Sequence, residues 1–306
     1  MARLDENAAG KTSGRKTFAR DGGHAFLAAM PVIAQLIDLY RAEGIAISTG
    51  LPPHRFGGYG GAPFTWFLKD GKSLTNGLGI AMQEVYLLEH LFAAFQPRRA
   101  LVIGNAFGWS TLAIAALLKG GRVVALDSGA DRNSLEGLAL TNRIAAAGKL
   151  PAKAVRGESP RDVAAIVDAE LGGPIDFAFI DGLHTIAQVV LDYQAVRAKA
   201  APDAVYLFHD VQEFGLGPAI DEIGRLAGRT ATALSATQSG MAILFDAAQH
   251  PALAGAVAAF APPETALAVV RQAAWDHRHR HLARWRRSFN KRKARLRSLV
   301  GATPRD

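Results

Sequence analysis

The 306-residue chain contains no cysteine. That removes disulfides, thiolate zinc sites, iron–sulfur clusters and cysteine nucleophiles together, and it fits a reducing compartment. Long apolar runs are missing too. The nearest to one, 252–270, is broken by Pro262, Pro263 and Glu264, short of the roughly 18 or more residues a membrane span needs. The first twenty residues are polar and lack the apolar stretch of a secretory signal, so a cytoplasmic protein is expected. Acids are scarce in one region. Between Asp276 and Ser298 there are ten Lys or Arg and the single acid Asp276. Elsewhere 25 basic residues face 26 acidic ones, so the net charge of +8 belongs to a tail and the body is neutral.

What is present is a chain that can bury a sizeable core, with a hydrophobic share of 49% and a charged share of 20%. Residues 1–22 read as a flexible arm. Phe26, Met30, Ile33, Ile37 and Tyr40 recur at helical spacing over 24–43, ending near Gly44. The stretch 49–63, with five glycines and three prolines, reads as an irregular, lid-like loop carrying His54, Arg55, Phe56 and Tyr59. A second helix is marked by Leu78, Met82, Val85, Leu88, Phe92 and Phe95 and stopped by Pro97.

From residue 100 the pattern changes to short apolar runs at 100–103, 122–126, 152–155, 175–180 and 204–208, alternating with helical stretches near 109–119, 133–148, 160–171, 184–199 and 216–227. Such alternation indicates right-handed βαβ units and a parallel sheet buried on both faces. Runs at 230–236 and 240–246 are close enough to form an antiparallel hairpin. The expected fold is therefore α/β, doubly wound, with seven strands, mostly parallel and closed by an antiparallel hairpin strand. N-terminal helices precede it and a basic C-terminal helix follows. The expected divisions are 1–22, 23–74, a main domain over 75–247, and a helical extension over 248–306.

Open parallel sheets bind ligands beyond the carboxyl ends of their strands. After the first strand comes Gly104-Asn105-Ala106-Phe107-Gly108-Trp109-Ser110, a G-x-x-x-G loop rather than the G-x-G-x-x-G that seats a pyrophosphate. Asp127 follows the second strand, where an acid can accept hydrogen bonds from ribose hydroxyls or simply cap a helix. Gly157-Glu158-Ser159-Pro160 follows the third, with Ser159 and Pro160 also suited to an N-cap and first helical turn. Asp181 with His184 follows the fourth strand, and His209-Asp210 follows the fifth. Acids gathered at one sheet edge repel, and a cationic cofactor or a divalent metal would offset that.

The runs LVIGNAFGWSTLAIA, ALDSG, IDFAFIDGLHTIAQVVLDY and VYLFHDV together resemble class I S-adenosylmethionine-dependent methyltransferases, in particular the O-methyltransferase-like group with an Ile-Asp-Gly-x-His segment. The resemblance covers about 80–246. It implies a Rossmann-like sheet with an antiparallel seventh strand beside the fifth. It also implies that Gly104, Asn105, Gly108 and Ser110 line the amino-acid part of S-adenosylmethionine, that Asp127 holds its ribose, that Glu158 and Ser159 lie by the adenine, and that Asp181 lies near the sulfur. Metal-dependent relatives bind Mg2+ through positions matching Asp181, His209 and Asp210; His209 departs from that pattern, because imidazole suits other divalent cations better than magnesium. His209 or His184 is then the candidate general base, and His184 can equally act by holding the Asp181 turn.

The function expected is methyl transfer to oxygen of a small molecule or sugar. A nucleic-acid methyltransferase using the basic tail, an NAD-dependent oxidoreductase and a non-catalytic cofactor-binding protein are the alternatives. The tail is suited to nucleic acid or to anionic surfaces, and a homodimer stays open.

Overall fold

The computed structural model describes residues 31–51, 64–74, 79–131 and 133–300. The arm 1–22 lies outside the described residues. So do Phe26, Met30 and Leu78, and the part of the lid-like loop with His54, Arg55, Phe56 and Tyr59.

Helix α1 (Val32–Ala42) ends at Gly44, whose φ of +75° closes the turn. A small antiparallel sheet of β1 (Ala46–Ser48), β2 (Trp66–Lys69) and β3 (Lys72–Ser73) follows. The sequence reading does not contain this sheet. Yet β2 and β3 are joined by Asp70-Gly71, both at positive φ, the turn that matches the twist of a two-residue hairpin.

The main sheet begins after helix α2 (Met82–Ala94). Its strands and helices run β4 (Arg99–Ile103), α3 (Trp109–Leu117), β5 (Arg122–Asp127), α4 (Ser134–Gly148), β6 (Ala152–Arg156) and α5 (Val163–Ile166), the last continued by a π turn over Val167–Leu171. They continue with β7 (Ile175–Ile180), α6 (Ile186–Arg197), β8 (Ala200–Phe208), α7 (Gly217–Ala227), β9 (Thr232–Leu234) and β10 (Met241–Leu244). The strand order is β6-β5-β4-β7-β8-β10-β9, with β10 antiparallel to both neighbours and the pairs from β6 to β8 parallel. This is the expected seven-stranded, doubly wound sheet.

Central strands read as unbroken apolar runs because both faces are covered. Along β4, Ala100 and Val102 enter one core with α1, α2, α3 and α4, while Leu101 and Ile103 enter the other with α5, α6 and α7. Each fully buried Val, Leu or Ile of this kind stabilises the fold by about 1.5–3 kcal/mol. Val32, Leu36, Tyr40, Ile45 and Phe67 belong to the first core, as do Leu253 and Phe260 of α8 (Pro251–Ala258) and the turn after it. The N-terminal elements and residues up to about 260 are thus packed into one body. Beyond it run α9 (Glu264–Arg278) and α10 (Arg280–Val300). Among the described residues no helix is long and apolar enough to cross a membrane.

Candidate active site

The strand register brings the predicted residues level. Ile103 pairs with both Leu126 and Ile180, and Ile180 with Phe208. The hydrogen bonding continues one step further: Gly104 N donates to Leu126 O, Asp181 N to Ile103 O and His209 N to Ile180 O. Gly104, Asp127, Asp181 and His209 therefore stand in one row along the carboxyl edge.

Gly104 is required there. Its φ is +90°, and a β-carbon would come within 1.9 Å of the Asp181 carbonyl oxygen, so only glycine lets the first loop run against the fourth. Gly108 meets a different need. A β-carbon there would sit 2.1 Å from Thr141 Oγ1, so this glycine lets α4 pack against the loop. Asn105 is buried and its side chain is engaged inward: Nδ2 donates to Thr141 Oγ1 and Oδ1 accepts from Thr111 Oγ1, each at 3.0 Å. Ser110 is buried in the first turn of α3. The Asp127 carboxylate clamps its surroundings, accepting from Asn105 N (3.1 Å), Ala106 N (2.9 Å) and Gly129 N (2.9 Å). Carboxylate oxygens have further acceptor capacity, so this half-buried group can still take a hydroxyl.

The loop after β6 differs from expectation. Ser159 is not an N-cap, because helix α5 begins at Val163 with Asp162 in the cap position. The Ser159 hydroxyl instead donates to Asp192 Oδ1 (2.6 Å), which also accepts from Gln188 Nε2 (2.7 Å). Burial raises the Asp192 pKa. Glu158 is exposed and paired with Arg161 at 2.9 Å.

Four side chains converge after β7 and β8. His184 Nε2 lies 3.2 Å from Asp181 Oδ1 and 3.4 Å from Asp210 Oδ2, with the Phe214 ring 4.4 Å from its own. His209 is buried, its Nδ1 3.1 Å from both Asp181 Oδ1 and Asp210 Oδ1 without a well-directed hydrogen bond to either. Its Nε2 donates to Glu84 Oε2 at 3.0 Å. Asp210 holds a left-handed backbone, φ +57°, which turns the chain sharply after His209.

Glu84, on α2, escaped the sequence reading. It is fully buried and accepts from Ala81 N (2.7 Å), Ser239 N (2.9 Å), Ser239 Oγ (2.5 Å) and His209. Burial opposes its ionisation, but the His209 charge and these donors outweigh it, and the pKa falls. Burial likewise opposes charge on His209, yet Asp181 and Glu84 raise its pKa well above 6.5. A charge on His209 offsets part of the repulsion among the acids at this edge, beside whatever a cationic cofactor or metal would supply.

Asp181, His184 and Asp210 each offer a ligand atom, all within 4.8 Å of one another. This trio holds His184 where the sequence reading places His209. One imidazole and two carboxylates suit a borderline divalent ion such as zinc or manganese better than magnesium.

Residues 101–211 match the family model described as "Methyltransferase domain". Over that stretch the chain matches a methyltransferase domain. Three solved structures similar to this chain are between 18% and 21% identical to it over the aligned residues. One is the O-methyltransferase TomG from Streptomyces achromogenes, involved in tomaymycin synthesis and in complex with SAM, at 21% identity over 55% of this chain and 81% of that one, TM-score 0.45. Another is an O-methyltransferase from Bacillus cereus in complex with SAH, at 21%, covering 56% and 84%, TM-score 0.46. A methyltransferase from Geobacter sulfurreducens aligns at 18%, covering 76% and 98%, TM-score 0.46. No curated protein sequence matches the chain.

Proposed function

We propose that this methyltransferase transfers the methyl group of S-adenosylmethionine to a hydroxyl oxygen of a small molecule or sugar. One observation carries the reading: the glycine loop after β4 abuts the Asp181 turn, with His184, His209 and Asp210 gathered at the same point. The backbone of the Gly104–Ser110 loop and the Asp127 carboxylate would hold the cofactor's amino-acid and ribose parts, and Glu158 with Ser159 would border the adenine.

In the transfer, the acceptor oxygen attacks the methyl carbon as the carbon–sulfur bond breaks, and the sulfur keeps the electron pair. The acceptor's proton passes to the Nδ1 nitrogen of His184, because Nε2 faces Asp181 and Asp210 and carries its hydrogen towards them. Asp181 and Asp210 orient that ring and stabilise its charged form; burial opposes this, and the balance leaves the His184 pKa raised. His209, held by Glu84, keeps the two carboxylates from repelling one another. Were a borderline divalent ion held there instead, Asp181, His184 and Asp210 would be its ligands, it would supply Lewis-acid activation of the acceptor oxygen, and His184 would no longer serve as the base.

The test is a thermal-shift comparison. S-adenosylhomocysteine should raise the melting temperature and NAD should not, because a ligand bound only by the folded state stabilises it. Asp127→Ala should remove that shift, as measured against its own ligand-free melting point. A shift by NAD alone, or an Asp181→Ala/Asp210→Ala variant with full activity, would overturn the proposal.

A further inference from the structure

Helix α10 has a composition that its place in the fold does not explain. Over Arg280–Val300 it carries nine Lys or Arg and no acid. Leu282, Trp285 and Phe289 are 49%, 69% and 55% exposed, and the Trp285 and Phe289 rings stack 5.7 Å apart. At about 100° per residue these three fall within an arc of roughly 60°. Arg292 and Lys293 border that arc, while Arg280, Arg284 and Lys291 lie on the opposite side. The preceding helix α9 has no buried residue, and it exposes Val269, Val270 and Trp275 as well. Nothing in the body covers the stripe among the described residues.

We infer that α10 is an interfacial helix that docks this methyltransferase on an anionic lipid surface. A narrow apolar stripe with aromatic rings, edged and backed by cations, meets both halves of such an interface: the rings enter the boundary of the acyl chains, and the cations stay among anionic headgroups. Other occupants fit less well. Nucleic acid would satisfy the cations but leave Leu282, Trp285 and Phe289 in water. A second copy of α10 would cover the stripe but would bring nine cations against nine with no acid between them. The neutral body has no charge excess to attract the helix back onto itself.

The experiment uses the full chain and vesicles of phosphatidylcholine, with or without phosphatidylglycerol, in a co-sedimentation assay. The protein should pellet with the anionic vesicles at least about tenfold more tightly than with neutral ones, and raised salt should weaken that binding. Trp285→Ala/Phe289→Ala keeps every charge and should lose about tenfold or more of the vesicle affinity. Arg284→Gln/Arg292→Gln/Lys293→Gln keeps the stripe and should lose the preference for anionic lipid. Both variants should retain the wild-type melting temperature, since these residues lie outside the core. Equal binding to neutral and anionic vesicles, or none to either, overturns the inference. So does RNA or DNA binding tighter than vesicle binding and indifferent to the Trp285/Phe289 change. A concentration-dependent dimer that this change dissolves, measured by sedimentation velocity, overturns it as well.

Discussion

Glu84→Gln is the most informative single change, because it keeps the side chain's shape and removes only its charge and part of its accepting capacity. The carboxylate receives Ala81 N and His209 Nε2 on one oxygen and Ser239 N and Oγ on the other. Glutamine has one oxygen, so whichever way it turns, its NH2 meets a backbone N–H that then has no acceptor. An unsatisfied buried donor costs about 1–3 kcal/mol. The His209 charge loses one of its three carboxylate neighbours besides, and breaking a buried ion pair costs about 3–5 kcal/mol when no other partner remains. Asp181 and Asp210 do remain. A net loss of about 3 kcal/mol follows, or about 6–12 °C in melting temperature for a body of this size. The gap should also depend on pH. Glu84 has a lowered pKa, so its contribution is present above its ordinary 4.5 and lost as the pH falls through the folded value. His209 has a raised pKa, so its contribution is present below 6.5 and lost as the pH rises through the folded value. The gap between wild type and variant should therefore be widest between 4.5 and 6.5 and narrow on both sides. Scanning fluorimetry from below 4.5 to well above 6.5 measures it. A variant that melts within about 1 °C of wild type at every pH would refute the pairing.

Three further outcomes are expected. Gly104→Ala should cost about 3 kcal/mol, from left-handed backbone strain and overpacking against the Asp181 carbonyl, and should abolish the response to S-adenosylhomocysteine; calorimetry with and without the ligand reads both. Because His184 has a raised pKa and must be neutral to accept a proton, kcat should climb with pH above 6.5, and His184→Gln should lose that limb together with about 10²–10⁴-fold in rate; a limb that persists in the variant belongs to another group. After chelation, any restored activity should rank manganese or zinc above magnesium, as the imidazole in the Asp181, His184 and Asp210 trio requires; recovery with magnesium alone would argue against that trio.

Much of the fold is legible in the sequence because burial on both faces forces the central strands into continuous apolar runs, as in Leu101–Ile103 and Phe177–Ile180. Register then follows, and with it the row from Gly104 to His209. The small N-terminal sheet was hidden by the brevity of β2 and β3, although Asp70-Gly71 marks its turn. Glu84 gave no local signal. In the run Met82-Gln83-Glu84-Val85 it reads as a solvated helix position, and only partners 125 and 155 residues away reveal its role. The same distance effect separated the two histidines. Both follow strands, but long-range packing puts His209 beneath the carboxylates and leaves His184 at the opening.

The phenolic oxygen of Tyr40 donates to Phe107 O at 2.6 Å, and its ring packs with Phe67 and Trp109. Phe107 lies inside the loop that Gly104 opens, so α1 props up the Gly104–Ser110 loop. This limits how small a portable version of the enzyme can be made. A fragment trimmed to 101–211, or started at β4, would keep the strands that define the fold and lose both the prop and the Glu84 anchor. Any minimal catalytic unit cut from this chain has to begin ahead of Val32.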